Sequence, residues 1–157
     1  MSQNPNGPSP STPRAPGPLE AALQRDDAAW AREHLANDVV GWLTTVAEDG
    51  TPQSSVISFL WEGDTILFYS QPETPKLRNI AGSPLVSFNL QSDPYGDHLL
   101  IIEGTAAVDR AVAPSDEHPA YRSKYRDPIA HWGMTEAQTA RDFSVPIRIT
   151  PRRVRLA

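Results

Sequence analysis

Between Val39 and Ser70 the chain turns back on itself twice. Val39 to Glu48 carries valines, threonines and Trp42, Asp49-Gly50 closes it, and Thr51 to Trp61 returns with similar character. An Asp-Gly pair between two such runs signals a β-hairpin, because glycine takes the positive φ that a tight hairpin turn needs. Glu62-Gly63-Asp64 makes a second tight turn into Thr65 to Ser70, so the first half reads as a β-meander. Three later runs add strands: Leu85 to Leu90, His98 to Val108, and Ser144 to Leu156, where Val145, Ile147 and Ile149 alternate with other residues. Strand and helix do not alternate, which argues against a parallel α/β sheet. Six antiparallel strands on short connections, with few helices, predict a mainly β fold with flanking helices, closed or nearly closed into a barrel. The apolar run Leu99 to Ile102 predicts a strand buried on both faces, inside the barrel or at a subunit interface. Gly104 marks a bulge or a close backbone approach, and Glu103 needs a partner such as Arg148.

Helices flank this sheet. Leu19, Ala22, Leu23, Trp30, Ala31 and Leu35 recur at helical spacing, predicting one amphipathic helix that covers something larger. Ser115 to Phe143 reads as helical, broken by Pro119, Pro128 and Gly133. Met1 to Pro18 holds six of the sixteen prolines and cannot bury enough apolar surface to offset the entropy of ordering. A disordered tail over 1–18 and one domain over 19–157 are the expected organisation. The tail lacks the basic start and apolar run of a secretory signal, and no stretch is long enough to span a membrane, so a soluble cytoplasmic protein is expected.

Composition narrows the chemistry. With no cysteine there is no disulfide, thiolate metal site or cysteine nucleophile, and a net charge of −5 argues against a broad nucleic-acid-binding surface. The phosphate loop, the dinucleotide glycine fingerprint and the nucleophile elbow are all missing. His34, His98, His118 and His131 lie far apart with no pair at ligand spacing, so no metal site is expected. Asp26, Asp27, Glu33, Asp49, Glu62 and Asp64 fall on turns and helix faces and read as solvated. No catalytic residue stands out, and an enzyme of this kind must borrow its chemistry from a cofactor.

One stretch suits a cofactor. Phe68 to Ile80 runs from an apolar strand through a hydroxyl-bearing turn into a helix. Tyr69, Ser70 and Thr74 offer hydroxyl donors, the first helical turn offers free backbone N–H groups, and Lys76 is one of only two lysines in the chain. A plain structural reading also fits: Ser70 ends the strand, Thr74 caps the helix with Pro75 at its first position, and Lys76 is solvated.

Three pieces occur here in a familiar order. Val40-Gly41-Trp42-Leu43-Thr44-Thr45-Val46 with Asp49-Gly50-Thr51-Pro52-Gln53, then Phe68 to Ile80, then Ile102-Glu103-Gly104-Thr105-Ala106 resemble the pyridoxamine 5′-phosphate oxidase-like flavin-binding split-barrel superfamily. Within it the chain looks most like the branch that binds the deazaflavin coenzyme F420, to which Tyr121-Arg122-Ser123-Lys124-Tyr125 and Ser144 to Arg155 are also similar. The resemblance implies a six-stranded split β-barrel. It implies that Tyr69, Ser70, Thr74 and Lys76, with Arg78 and Asn79 beside them, hold the cofactor phosphate, and that Ser54, Ser55, Val56, Ile57 and Ser58 face its ring. Arg122, Lys124 and Arg126 either extend a basic track for the glutamate tail or form a solvated helix face. Pro75 replaces a basic residue of the oxidases, and Leu99 stands near their cofactor-binding glutamine, which weakens a reading with flavin mononucleotide (FMN). The implied protein is a homodimer that binds F420 between subunits and passes a hydride to a small electron-poor acceptor. The alternatives are an FMN-dependent oxidase or reductase, or a non-catalytic F420 or tetrapyrrole binder.

Overall fold

The computed structural model describes residues 11–157. Most of the expected tail lies outside these residues, while Ser11 to Gly17 has no regular secondary structure. The strands are β1 (Val40–Val46), β2 (Pro52–Ser58), β3 (Leu60–Glu62), β4 (Thr65–Ser70), β5 (Leu85–Asn89), β6 (Leu100–Val108) and β7 (Val145–Leu156). All neighbours pair antiparallel, in the order β2-β1-β5-β6-β7-β4-β3. The described residues form seven strands rather than six, because Thr51 to Trp61 divides at Phe59. Ser58 pairs with β1 at one edge of the sheet, and Leu60 pairs with β4 next to the other edge. A chain crosses between edges through a single residue only if the sheet has curled until those edges meet. The result is a split barrel.

Phe59 sits in that seam with its backbone outside both ladders. Buried backbone groups need partners, and these come from α4 (Pro119–His131). The Tyr125 hydroxyl accepts from Phe59 N–H at 2.7 Å, and Lys124 Nζ donates to Phe59 C=O at 2.8 Å. Inside the barrel, Leu43, Phe59, Phe68, Phe88, Ile102 and Ile147 are fully buried. A second apolar cluster joins Leu60, Leu67 and Tyr69 to Tyr121, Tyr125 and Ile129 of α4. Within the single chain, the strand buried on both faces is β4. The outer face of β4 lies under α4, while β6 alternates buried and half-buried residues over most of its length.

The expected single helix over Leu19 to Leu35 is two, α1 (Pro18–Leu23) and α2 (Ala29–Asn37), separated by an extended Arg25 and one 3₁₀ turn. Asp64 is not merely solvated: its Oδ1 accepts from Leu19 and Glu20 N–H at 2.8 and 2.9 Å, capping α1. Glu62 also has partners, Arg148 at 3.4 Å and His118 at 3.3 Å. The expected Glu103–Arg148 pair does not form. In the β6–β7 register Glu103 lies opposite Arg153 and Arg148 opposite Ala107, so Glu103 meets Arg155 at 3.2 Å and Arg148 meets Asp109 at 2.9 Å. Gly104 sits at a register shift, and a Cβ there would lie 2.2 Å from the Thr150 carbonyl oxygen. Helices α3 (Pro75–Gly82) and α5 (Glu136–Asp142) complete the fold. Pro128 falls inside α4 without breaking it. Among the described residues no helix is long and apolar enough to cross a membrane.

Candidate functional site

Strand β4 ends at Ser70, and the chain turns through Gln71 to Thr74 into α3. Glu73 is the one non-glycine residue with positive φ (63°) among the described residues. Such a backbone is costly and persists only where its surroundings hold it. Arg78 provides the hold, donating from Nη1 to the Glu73 carbonyl at 2.7 Å. Thr74 occupies the N-cap position of α3 yet makes no capping bond. Its hydroxyl lies 3.2 Å from that of Ser70, which donates to the Gln71 carbonyl at 2.8 Å. The first turn leaves the N–H groups of Lys76 and Leu77 without helical partners. Lys76 is half-buried, and burial alone holds its amine below the usual lysine range; no ion pair engages it among the described residues. A desolvated ammonium without a counter-charge favours an anion.

Ser70, Thr74 and Lys76 share a cavity of about 410 Å³. Its other walls are Val40 of β1, Val56, Ile57 and Ser58 of β2, Tyr69 of β4, Gln71 of the turn, and Tyr121, Trp132, Met134, Thr139 and Phe143 from α4, α5 and their flanks. The Tyr69 hydroxyl donates to the Ala113 carbonyl at 2.7 Å, so Tyr69 offers its ring to the cavity, edge-on to Tyr121 at 4.9 Å. Burial, aided by Glu62, pushes the Tyr69 phenol up to about 12. Among the described residues no carboxylate or imidazole lines the cavity. Strand β2 is an edge of the sheet, so its outer N–H and C=O groups lack ladder partners.

Of the residues expected at the site, Val56, Ile57, Ser58, Tyr69, Ser70, Thr74 and Lys76 come together here. Four do not line the cavity. Ser54 bonds Thr44 at 2.7 Å, beside a separate hollow against Trp42. Ser55 lies opposite Leu43 in the ladder. Arg78 secures the turn, and Asn79 donates to Thr45 at 3.0 Å and Gln53 at 2.9 Å, tying α3 to the first hairpin. Of the second basic group, Arg126 is exposed. Lys124 turns inward, 3.8 Å over the Phe59 ring, where burial pushes its amine down to about 8, and Arg122 pairs with Glu136 at 3.0 Å. The wall of Trp132, Met134, Thr139 and Phe143 was not anticipated from the sequence. The one local signal for it is the aromatic–glycine–methionine step at the end of α4, where Gly133 takes a φ of 71°.

Residues 29–157 match the family described as pyridoxamine 5′-phosphate oxidase. No curated protein matches the chain. Solved structures do. A putative pyridoxamine 5′-phosphate oxidase from Listeria innocua is 25% identical, covering 88% of this chain and 97% of its own, with a TM-score of 0.59. An F420 reductase is 24% identical, covering 79% and 94%, with a TM-score of 0.58. The heme storage protein HutZ from Vibrio cholerae is 16% identical, covering 84% and 95%, with a TM-score of 0.60.

Proposed function

The chain belongs to the pyridoxamine 5′-phosphate oxidase family, and we propose that it is a reductase that uses reduced F420 to reduce a small electron-poor organic acceptor. One observation carries this reading: Lys76, half-buried and without an ion-pair partner among the described residues, shares a largely apolar and aromatic cavity with the polar residues Ser58, Ser70, Gln71, Thr74 and Thr139. That donor set suits a flat ring with a phosphate attached. Lys76, Thr74, Ser70 and the free N–H groups of α3 hold the phosphate, and the unpaired backbone of Val56 to Ser58 borders the ring. Tyr121, Trp132, Met134 and Phe143 exclude water from it. The bound deazaflavin supplies the hydride.

Lys76 is the one cationic residue lining the cavity among the described residues, and the phosphate of either F420 or FMN would face it. A homodimer is part of the proposal, supported by Val40, Trp42 and Val56, which are about two-fifths to one-half exposed on neighbouring strands beside the cavity. Light scattering tests it, and a monomer would remove the shared-site arrangement.

The deciding experiment titrates the protein with F420 and with FMN, side by side. A charged hydrogen bond contributes about 1.5–3 kcal/mol, so Lys76→Ala should weaken F420 binding about 10- to 100-fold. Equal affinity in parent and variant, or tighter binding of FMN, would overturn the assignment. The absence of acid or base from the cavity lining favours one second reading, a non-catalytic F420 or tetrapyrrole binder. Tight binding without turnover across enones, quinones and nitro compounds would establish it.

A further inference from the structure

A reductase needs a proton as well as a hydride, and the main cavity has no ready source. The Tyr69 hydroxyl is engaged and its proton tightly held, burial raises the Tyr121 phenol further still, and Lys76 is assigned to the phosphate. We propose that His34, held by Asp38, is the catalytic proton donor and that the hollow it lines is the acceptor subsite. The proposal rests on the reductase reading above.

The hollow has a volume of about 420 Å³ and is lined by Trp30, His34, Asp38, Val40, Gln91 and Asp93, among others. Val40 also lines the main cavity and lies opposite Ser58 in the β1–β2 ladder. Val40 is thus shared by the two hollows, and a ring held along Val56 to Ser58 would lie beside the acceptor subsite.

His34 sits in the last turn of α2, with Nδ1 2.9 Å from Oδ1 of Asp38, the residue that ends the helix. Its imidazole stacks on the Trp30 ring at 4.3 Å and 28°. These two contacts fix the ring plane and aim the Nδ1 proton at the carboxylate, which leaves Nε2 for an outside partner. Side-chain exposures of 35% for His34 and 25% for Asp38 keep the pair open to proton exchange with solvent. The other ionisable groups near this pair are Asp93 and His98 from the β5–β6 connection, His98 stacking on Trp30 at 5.8 Å, and Lys124, whose charge interacts with Asp38.

For a simple enone, 2-cyclohexen-1-one, the step balances. A hydride adds with its electron pair to the β-carbon, the C=C π pair shifts toward the carbonyl, and the resulting enolate takes the proton from Nε2 of the His34 imidazolium. The cofactor is oxidised by two electrons, and the neutral imidazole regains its proton from solvent.

The test uses the full chain with His34→Gln and Asp38→Asn. Both variants should bind oxidised F420 within about twofold of the parent while His34→Gln loses roughly a hundredfold or more in kcat with cyclohexenone. The parent kcat at saturating cofactor should fall as pH rises, because the donor must be protonated. That limb should vanish in His34→Gln, and Asp38→Asn, which removes the carboxylate that holds Nδ1, should lower kcat. Independently of turnover, cyclohexenone added to the oxidised complex should shift the ¹⁵N signals of the His34 imidazole. Unmoved signals, or a His34→Gln protein with parental kcat and pH profile, would overturn the donor assignment alone. Failure of the parent to bind F420 would overturn the reductase reading itself. If His34→Gln does not fold, Asp38→Asn decides, and a parental kcat there counts against the proposal.

Discussion

Removing one oxygen atom from Tyr125 should loosen the barrel at its seam. The side chain is fully buried, and its hydroxyl accepts from Phe59 N–H at 2.7 Å and lies 2.7 and 2.8 Å from the Val39 and Phe59 carbonyl oxygens, to one of which it donates. Tyr125→Phe keeps the ring and its stack on Tyr121 at 4.5 Å, so packing is nearly conserved. The variant leaves a buried N–H without a partner and removes the bond the hydroxyl donates. Phe59 C=O keeps its bond from Lys124. An unsatisfied buried donor costs about 1–3 kcal/mol and a lost net bond about 1, so the sum is roughly 2–4 kcal/mol. At about 2–4 °C per kcal/mol for a chain of this size, Tm should fall by about 4–16 °C. Calorimetry reads this directly, and a urea melt should show a lower midpoint with an unchanged slope. Tyr121→Phe is the control, since that hydroxyl makes no hydrogen bond among the described residues, and its cost should stay near 0.5 kcal/mol or about 2 °C. A Tyr125→Phe protein that melts within about 2 °C of the parent, or no lower than Tyr121→Phe, would refute the seam account.

Three further outcomes are expected. Burial holds the Lys76 amine below its ordinary range, so F420 affinity measured by fluorescence titration should begin to fall at a lower pH than an exposed lysine would dictate. Lys124 is pushed down to about 8 in the folded protein, against about 10.4 unfolded. The unfolded chain binds more protons between those values, so this residue lowers stability most below about pH 8 and contributes a rise in stability toward about pH 10. Lys124→Met should flatten that part of the Tm-versus-pH curve. Gly104→Ala would place a methyl 2.2 Å from the Thr150 carbonyl oxygen and 3.0 Å from Pro151 Cα, both rigid backbone. The overpacking should cost about 3 kcal/mol, readable as a drop in Tm of about 6–12 °C.

The strands were legible because each carries its own turn chemistry or alternation, as at Asp49-Gly50 and Glu62-Gly63-Asp64. The division at Phe59 was not, because nothing local marks it. Phe59 leaves its ladder only because Tyr125 and Lys124, more than sixty residues later in sequence, satisfy its backbone. The same distance in sequence hid the ion pairs: strand register, not composition, sends Arg148 to Asp109 and Glu103 to Arg155. At the site, the contiguous motif from Tyr69 to Lys76 could be read along one stretch of chain. Arg78 and Asn79 lie on that stretch too, but one grips the Glu73 carbonyl and the other reaches Thr45 and Gln53. Asp38 and Trp30 are four residues to either side of His34, yet helical spacing alone gave no reason to prefer it over the other histidines.

The edge position of β2 bears on how the protein behaves in concentrated solution. Its outward row of unpaired amides is the surface on which another chain would add a strand. On the proposed reading a bound ring covers part of that row, so occupancy protects the edge as well as arming the site. Preparations stripped of cofactor should then self-associate more readily than loaded ones, and expression in a host that does not make the coenzyme should favour aggregates over the dimer.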